Sequence, residues 1–157
     1  MNYVGLNIVR KAQSHVGECE DPMGSNRGPI VDLYNEYVGN APGSPWCAAF
    51  GCYIVGKVRD EMGGKWPVPC TGSSGAIADW GEVNNAGRAG ADVIPGCLGE
   101  VIDANSATGH RHTVIAIEIL SSGMVETVEG NEGDCVKRWR RRLDECDWVQ
   151  CFPDQDA

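Results

Sequence analysis

Cys47, in the segment Pro45-Trp46-Cys47-Ala48-Ala49-Phe50, and the three histidines His15, His110 and His112 are the residues whose types could do nucleophilic chemistry together. A thiolate is the reactive form of cysteine, and a helix N-terminus lowers a thiol's pKa because its unpaired amides and its dipole favour negative charge. Cys47 follows a Gly-, Pro- and Asn-rich loop (residues 39–45) and opens a mostly apolar stretch that runs to Met62 and closes on Gly63-Gly64. That pattern places the sulfur at a helix start, where its own backbone amide could also face an oxyanion. For a cysteine picked at random, burial as a small apolar residue is the commoner fate. The neighbours of Cys47 therefore decide the matter.

A base must come from the histidines. His15 falls at the end of the first helical segment, where a surface imidazole near the C-terminal dipole is the default. His110 and His112 flank Arg111 after the Gly109 turn, and His112 opens the strand Thr113-Val114-Ile115-Ala116-Ile117. Period-two alternation puts both rings on one side if the strand already begins there. His112, held by the sheet, is the expected general base, with His110 a rim or substrate contact. The following strand, Val125-Glu126-Thr127-Val128-Glu129-Gly130-Asn131, offers Glu129 to orient the imidazole and Asn131 as a second polar group. An isolated Glu-Gly-Asn is more often a solvated strand end.

The elements that must position these groups change character near the middle of the chain. Residues 5–17, a segment from Pro29 to Val38, residues 47–62 and a short stretch capped by Ser73 or Ser74 and running through Trp80 read as helices. Beyond Pro95-Gly96, strands are expected over Leu98–Asp103, His112–Leu120, Met124–Glu129, Cys135–Arg142 and Trp148–Phe152. Helices first and strands afterwards predict an α+β fold, with N-terminal helices packed on a C-terminal antiparallel sheet. At 157 residues, with no repeat or linker, the chain reads as a single domain over 1–157.

In this order the pieces resemble the CHAP family of cysteine, histidine-dependent amidohydrolases and peptidases, a papain-like group of wall-cleaving enzymes. The resemblance rests on Gly24-Ser25-Asn26-Arg27-Gly28, Pro45-Trp46-Cys47-Ala48-Ala49-Phe50, Trp80-Gly81, Pro95-Gly96, Gly109-His110-Arg111-His112-Thr113 and Val128-Glu129-Gly130-Asn131. It implies a papain-like fold with Cys47 as nucleophile, His112 as proton carrier, Glu129 as orienter and Asn131 assisting. It further implies peptidoglycan as substrate, cut at the muramoyl–alanine amide or within the stem or cross-bridge peptide. The family often has Gly two residues after the histidine and Asp after Pro-Gly, where this chain has Val114 and Cys97. Some members bind calcium through acidic residues before the nucleophile. Glu36 is the one acid between Asn35 and Trp46, so no metal or other cofactor is expected.

Other features bound the partners. A net charge of −9 repels phosphate backbones and argues against a nucleic-acid role. No apolar run is long enough for membrane insertion. The N-terminus does not read as a secretory signal, so the expectation is synthesis in the cytoplasm and action at the bacterial wall after phage release or secretion by another route. A monomer is expected, with a targeting or immunity protein as the class of partner. Trp46 and Trp80 are candidates to line a substrate groove, although tryptophan more often packs. Lys137-Arg138-Trp139-Arg140-Arg141-Arg142 reads as a solvated basic face rather than a polymer contact. Eight cysteines leave open a pairing such as Cys146 with Cys151, or reduced core thiols. A non-catalytic wall-binding module and, less favoured, a zinc-stabilised domain are the competing classes.

Overall fold

The computed structural model describes residues 2–154. Asn2 caps the first helix, α1 (Tyr3–Ser14), by accepting the Gly5 N–H at 2.9 Å. Pro29 opens α2 (Pro29–Val38), and Gly39 ends it in the left-handed region, which a residue with a Cβ would enter only at a cost. The third helix, α3 (Cys47–Glu61), starts at the candidate nucleophile, and α4 (Ser74–Val83) is capped by the Ser73 side chain. Six strands follow: β1 (Gly87–Arg88), β2 (Leu98–Ile102), β3 (His110–Ile119), β4 (Met124–Glu132), β5 (Cys135–Arg142) and β6 (Cys146–Val149).

These strands form one antiparallel sheet in the order β1-β6-β2-β3-β4-β5. The fold is therefore α+β, with four helices preceding a six-stranded antiparallel sheet. Strand β1 escapes the periodicity because two residues carry no pattern to read. The last strand lies at Cys146–Val149 rather than Trp148–Phe152, since Gly99 and Leu98 of β2 pair with Trp148 and Val149. Among the described residues no helix is long and apolar enough to cross a membrane.

Helix α3 is the hinge between layers, packing on α1 and α2 and lying across β3 and β4. Its first two turns bury Ala48, Ala49, Phe50, Gly51 and Cys52. Two glycines permit its close approach to the sheet. A Cβ on Gly130 of β4 would meet Phe50 Cβ at 2.6 Å, and one on Gly51 would meet Thr113 Cγ2 at 3.0 Å. Small residues at these two contacts bring the start of α3 down onto the strands that carry Thr113 and Glu129.

Aromatic packing braces the same helix from the other side. Tyr34 stacks on Trp46 and meets Phe50 and Tyr53 edge-on. His15 belongs to this cluster instead of sitting on the surface, as its position in the chain had implied. Its Nδ1 lies 2.6 Å from the Tyr34 hydroxyl, and burial holds its pKa below the ordinary histidine value. Burial there outweighs the nearby Glu18 charge, which acts in the opposite direction.

Of the two readings left open for Cys146 and Cys151, the structure has the reduced core thiols. Cys146 and Cys151 are both buried, free thiols, whereas Cys19 and Cys135 form a disulfide between adjacent antiparallel positions. Residues 17–20 lie along the start of β5, with Gly17 N–H bonded to Val136 O, Val136 N–H to Glu18 O and Glu20 N–H to Asp134 O. The disulfide pins this segment to the β4–β5 turn, and the segment carries Glu20 beneath Trp46.

Candidate active site

Trp46 supplies no side-chain cap to α3, and the first intrahelical bond runs from Phe50 N–H to Trp46 O at 2.9 Å. The amides of residues 47–49 are therefore free of helical acceptors, as helix geometry requires. The Ala48 N–H is directed at the Cys47 sulfur, as is the main-chain N–H of Thr113 from β3. Cys47 is partly exposed. Burial alone would raise its pKa, but the His112 ring, by hydrogen bond and by charge, together with the two N–H groups, brings it below the ordinary thiol value.

His112 sits between the sulfur and a carboxylate. Its Nε2 donates to Glu129 Oε2 at 2.9 Å, with Glu132 Oε2 at 3.6 Å. Burial would lower the imidazole's pKa, yet hydrogen bonds to Cys47 and Glu129 and their charges push it up to about 9. The two shifts point the same way: each favours thiolate beside imidazolium.

Glu129 is fully buried and ionised nonetheless. Arg141 reaches it with two nitrogens, Nε to Oε1 at 2.6 Å and the other guanidinium N–H group to Oε2 at 2.8 Å, and Thr127 Oγ1 donates to Oε1 at 2.7 Å. Burial would raise this carboxyl, but His112, Arg141 and Thr127 together hold it down at about 2. The carboxylate thus fixes the imidazole's orientation and tautomer while Arg141 keeps the carboxylate charged.

Of the residues singled out in the sequence, Cys47, His112 and Glu129 come together. Asn131 does not join them: it stands at a register shift of β4 with φ +58°, and Glu132 is the residue that turns toward the ring. His110 and His112 diverge. Val101 pairs with His112 and Ile102 with His110, so Arg111 is an extra residue that breaks the alternation. The His110 ring bonds Asp147 Oδ2 of β6 at 2.7 Å and lines a cleft of about 480 Å³ with Asp79, Glu82, Arg88 and Asp92.

Neither tryptophan lines the Cys47 site. Trp46 is 0% exposed, and its Nε1 donates to the buried Glu20 Oε1 at 2.9 Å, so it anchors the chain before Cys47 instead of contacting a ligand. Trp80 packs on the core and borders a separate hollow with Trp66 and Gln150. Arg141 was hidden within a basic run that reads as solvated, and four of its neighbours, Lys137, Arg138, Arg140 and Arg142, are indeed exposed. The available signal was its place on β5, opposite Val125, four pairs from Glu129 and Lys137 and so on the same face of the sheet.

His112, Glu129 and Glu132 offer ligand atoms within 4.8 Å of one another, the one such group among the described residues. The Arg141 guanidinium already lies against both carboxylates, at 2.6 Å from Glu129 and 3.8 Å from Glu132, so a metal there would face an opposing cation. The arrangement is a cysteine–histidine–glutamate site on an α+β scaffold. No protein-family model matches the chain, and no curated protein matches it.

Proposed function

We propose that the protein is a papain-like cysteine amidohydrolase of the CHAP type that cleaves an amide bond of bacterial peptidoglycan. The observation carrying this reading is that Cys47, at the start of α3, lies beside a His112 imidazole that bonds the buried Glu129. A thiolate–imidazolium pair held by a carboxylate is suited to acyl transfer. The order of the residues along the chain, with the motifs around them, favours wall amides as substrate.

The Cys47 thiolate attacks the amide carbonyl and forms a C–S bond. The negative charge that develops on oxygen faces the free amides at the start of α3. Collapse breaks the C–N bond, His112 gives its proton to the leaving nitrogen, and a free amine departs from a thioester. A water then attacks the thioester as His112 takes one of its protons. The carboxylic acid leaves, and the thiolate and imidazolium are restored. Glu129 holds the ring through both transfers and is not itself protonated. This chemistry requires no cofactor.

Action at the wall as a monomer, reached by phage release or secretion and aided by a targeting or immunity protein, belongs to the same proposal. Incubation of the purified protein with wall sacculi, followed by mass spectrometry of the soluble fragments, tests it. Fragments with new amino groups at one defined bond are expected, at muramoyl–alanine for an amidase or within the peptide for an endopeptidase. Sacculi that release no new amino groups would refute the substrate assignment.

A further inference from the structure

Two fully buried glutamates lie near the Cys47–His112 pair, in opposite surroundings. Glu129 has Arg141, His112 and Thr127 around it and is ionised. Glu100, on β2, receives one side-chain hydrogen bond, from Thr113 Oγ1 to its Oε2 at 2.7 Å, and its Oε1 is buried with no protein partner. An ionised carboxylate in that position would forfeit its hydration for a single bond, which is far costlier than burying the neutral acid. Burial accordingly holds the Glu100 carboxyl well above the ordinary range, and the nearby Cys47 pushes the same way. Environments that drive two carboxyls in opposite directions mark distinct roles for them.

Thr113 connects Glu100 to the sulfur. It pairs with Glu100 across β2 and β3, it follows His112, and its main-chain N–H is directed at Cys47. Its methyl lies against α3 at Gly51. The ionisable groups facing Glu100 are Cys47 and Cys52 on α3, His112 on β3, Cys146 and Asp147 on β6, and Cys151 beyond it. His112 is the one cation among them.

We propose that Glu100 is a positioning residue for Cys47: as a neutral acid it clamps the Thr113 side chain, so that the Thr113 main-chain N–H stays against the sulfur without a second negative charge beside the thiolate. This rests on the reading of Cys47 as nucleophile. It assigns to β2 a task that neither the base nor its orienting carboxylate performs.

The pH dependence of Cys47 alkylation by iodoacetamide, read by peptide mass spectrometry on the full chain, tests the proposal without any substrate. Glu100→Gln preserves a neutral acceptor for Thr113 and is expected to keep the wild-type midpoint. Glu100→Ala frees Thr113 and should move the midpoint up by about one pH unit, a roughly tenfold loss of thiolate at pH values below it. Thr113→Val, close in shape, should shift it in the same direction and supplies the reading if Glu100→Ala does not fold. Together the two changes should shift it no further than either alone, because they break one chain of contacts.

An unchanged midpoint in Glu100→Ala, or in Thr113→Val where the alanine variant does not fold, overturns the proposal. So does a Gln variant shifted as far as Ala, or additive shifts in the double variant. If those results come with a wild-type Cys47 that remains the fastest-reacting thiol, the nucleophile assignment survives. A wild-type Cys47 no faster than the other thiols overturns both.

Discussion

Cys47→Ala is expected to fold and to release no amino groups from wall sacculi above background, while His112→Ala lowers the rate by about 10⁴-fold or more. The alanine removes the atom that forms the thioester, and nothing in the site replaces it. Cys52 on the same helix is buried, and its thiol is pushed up to about 12, so it offers no second nucleophile. Loss of His112 has two effects: the thiolate loses the neighbour that lowers its pKa, and the leaving amine loses its proton donor. In a site that works as a unit these effects do not add, so the double variant should be no slower than Cys47→Ala. Folding of both variants is checked by circular dichroism. Wild-type rates in Cys47→Ala would eliminate it as the nucleophile.

Arg141→Ala is expected to produce the largest loss of stability among the site residues, about 3–5 kcal/mol at neutral pH by urea denaturation. The arginine makes two of the bonds that keep Glu129 charged inside the sheet, and its removal leaves a buried carboxylate short of its counter-ion. The pH dependence has a definite sign. The Glu129 carboxyl is depressed in the folded protein to about 2, so its stabilisation is present above the ordinary carboxyl value and is lost as pH falls through about 2. Without Arg141 the folded-state value rises, and acidification protonates Glu129 earlier in the variant. The gap between wild type and variant should therefore narrow between neutral pH and pH 4. Arg141→Lys should recover part of the gap, since an ammonium restores charge but cannot span both carboxylate oxygens. A gap that stays constant with pH would show that Arg141 acts through packing alone.

Much of this site was legible because its parts obey short-range rules. Cys47 follows a loop and precedes an apolar run, so its place at the first residue of α3 follows from helix-start signals. His112 and Glu129 lie on consecutive strands, and antiparallel neighbours bring such residues side by side; β3 and β4 do pair directly. What escaped depends on departures from regular geometry or on distant contacts. The extra residue at Arg111 turns the two histidines apart, and the register shift after Glu129 exchanges Asn131 for Glu132. Neither break is marked by a residue type that demands it. Trp46 looked like a groove residue from its place beside Cys47, but its partner Glu20 is 26 positions away and is carried in by the segment tied through Cys19–Cys135. Arg141 is one of several similar residues in a basic run, and the fold alone distinguishes it. Glu100 sits inside a strand where alternation predicts burial or exposure but not a protonation state.

Whether Cys47 is a thiolate at neutral pH is asked directly by the rate of its alkylation by iodoacetamide, measured across pH with each cysteine read by peptide mass spectrometry. Exposed Cys70 is the internal standard for an accessible thiol, while Cys97, at about 11, and Cys146, at about 12, are buried standards for an inert one. Cys47 is predicted to react first, with a midpoint below that of an ordinary thiol and a rate that persists into mildly acidic solution. His112→Ala should move that midpoint up. A Cys47 that reacts no faster than Cys70 at neutral pH, with an ordinary thiol midpoint unmoved by loss of His112, would contradict the nucleophile assignment.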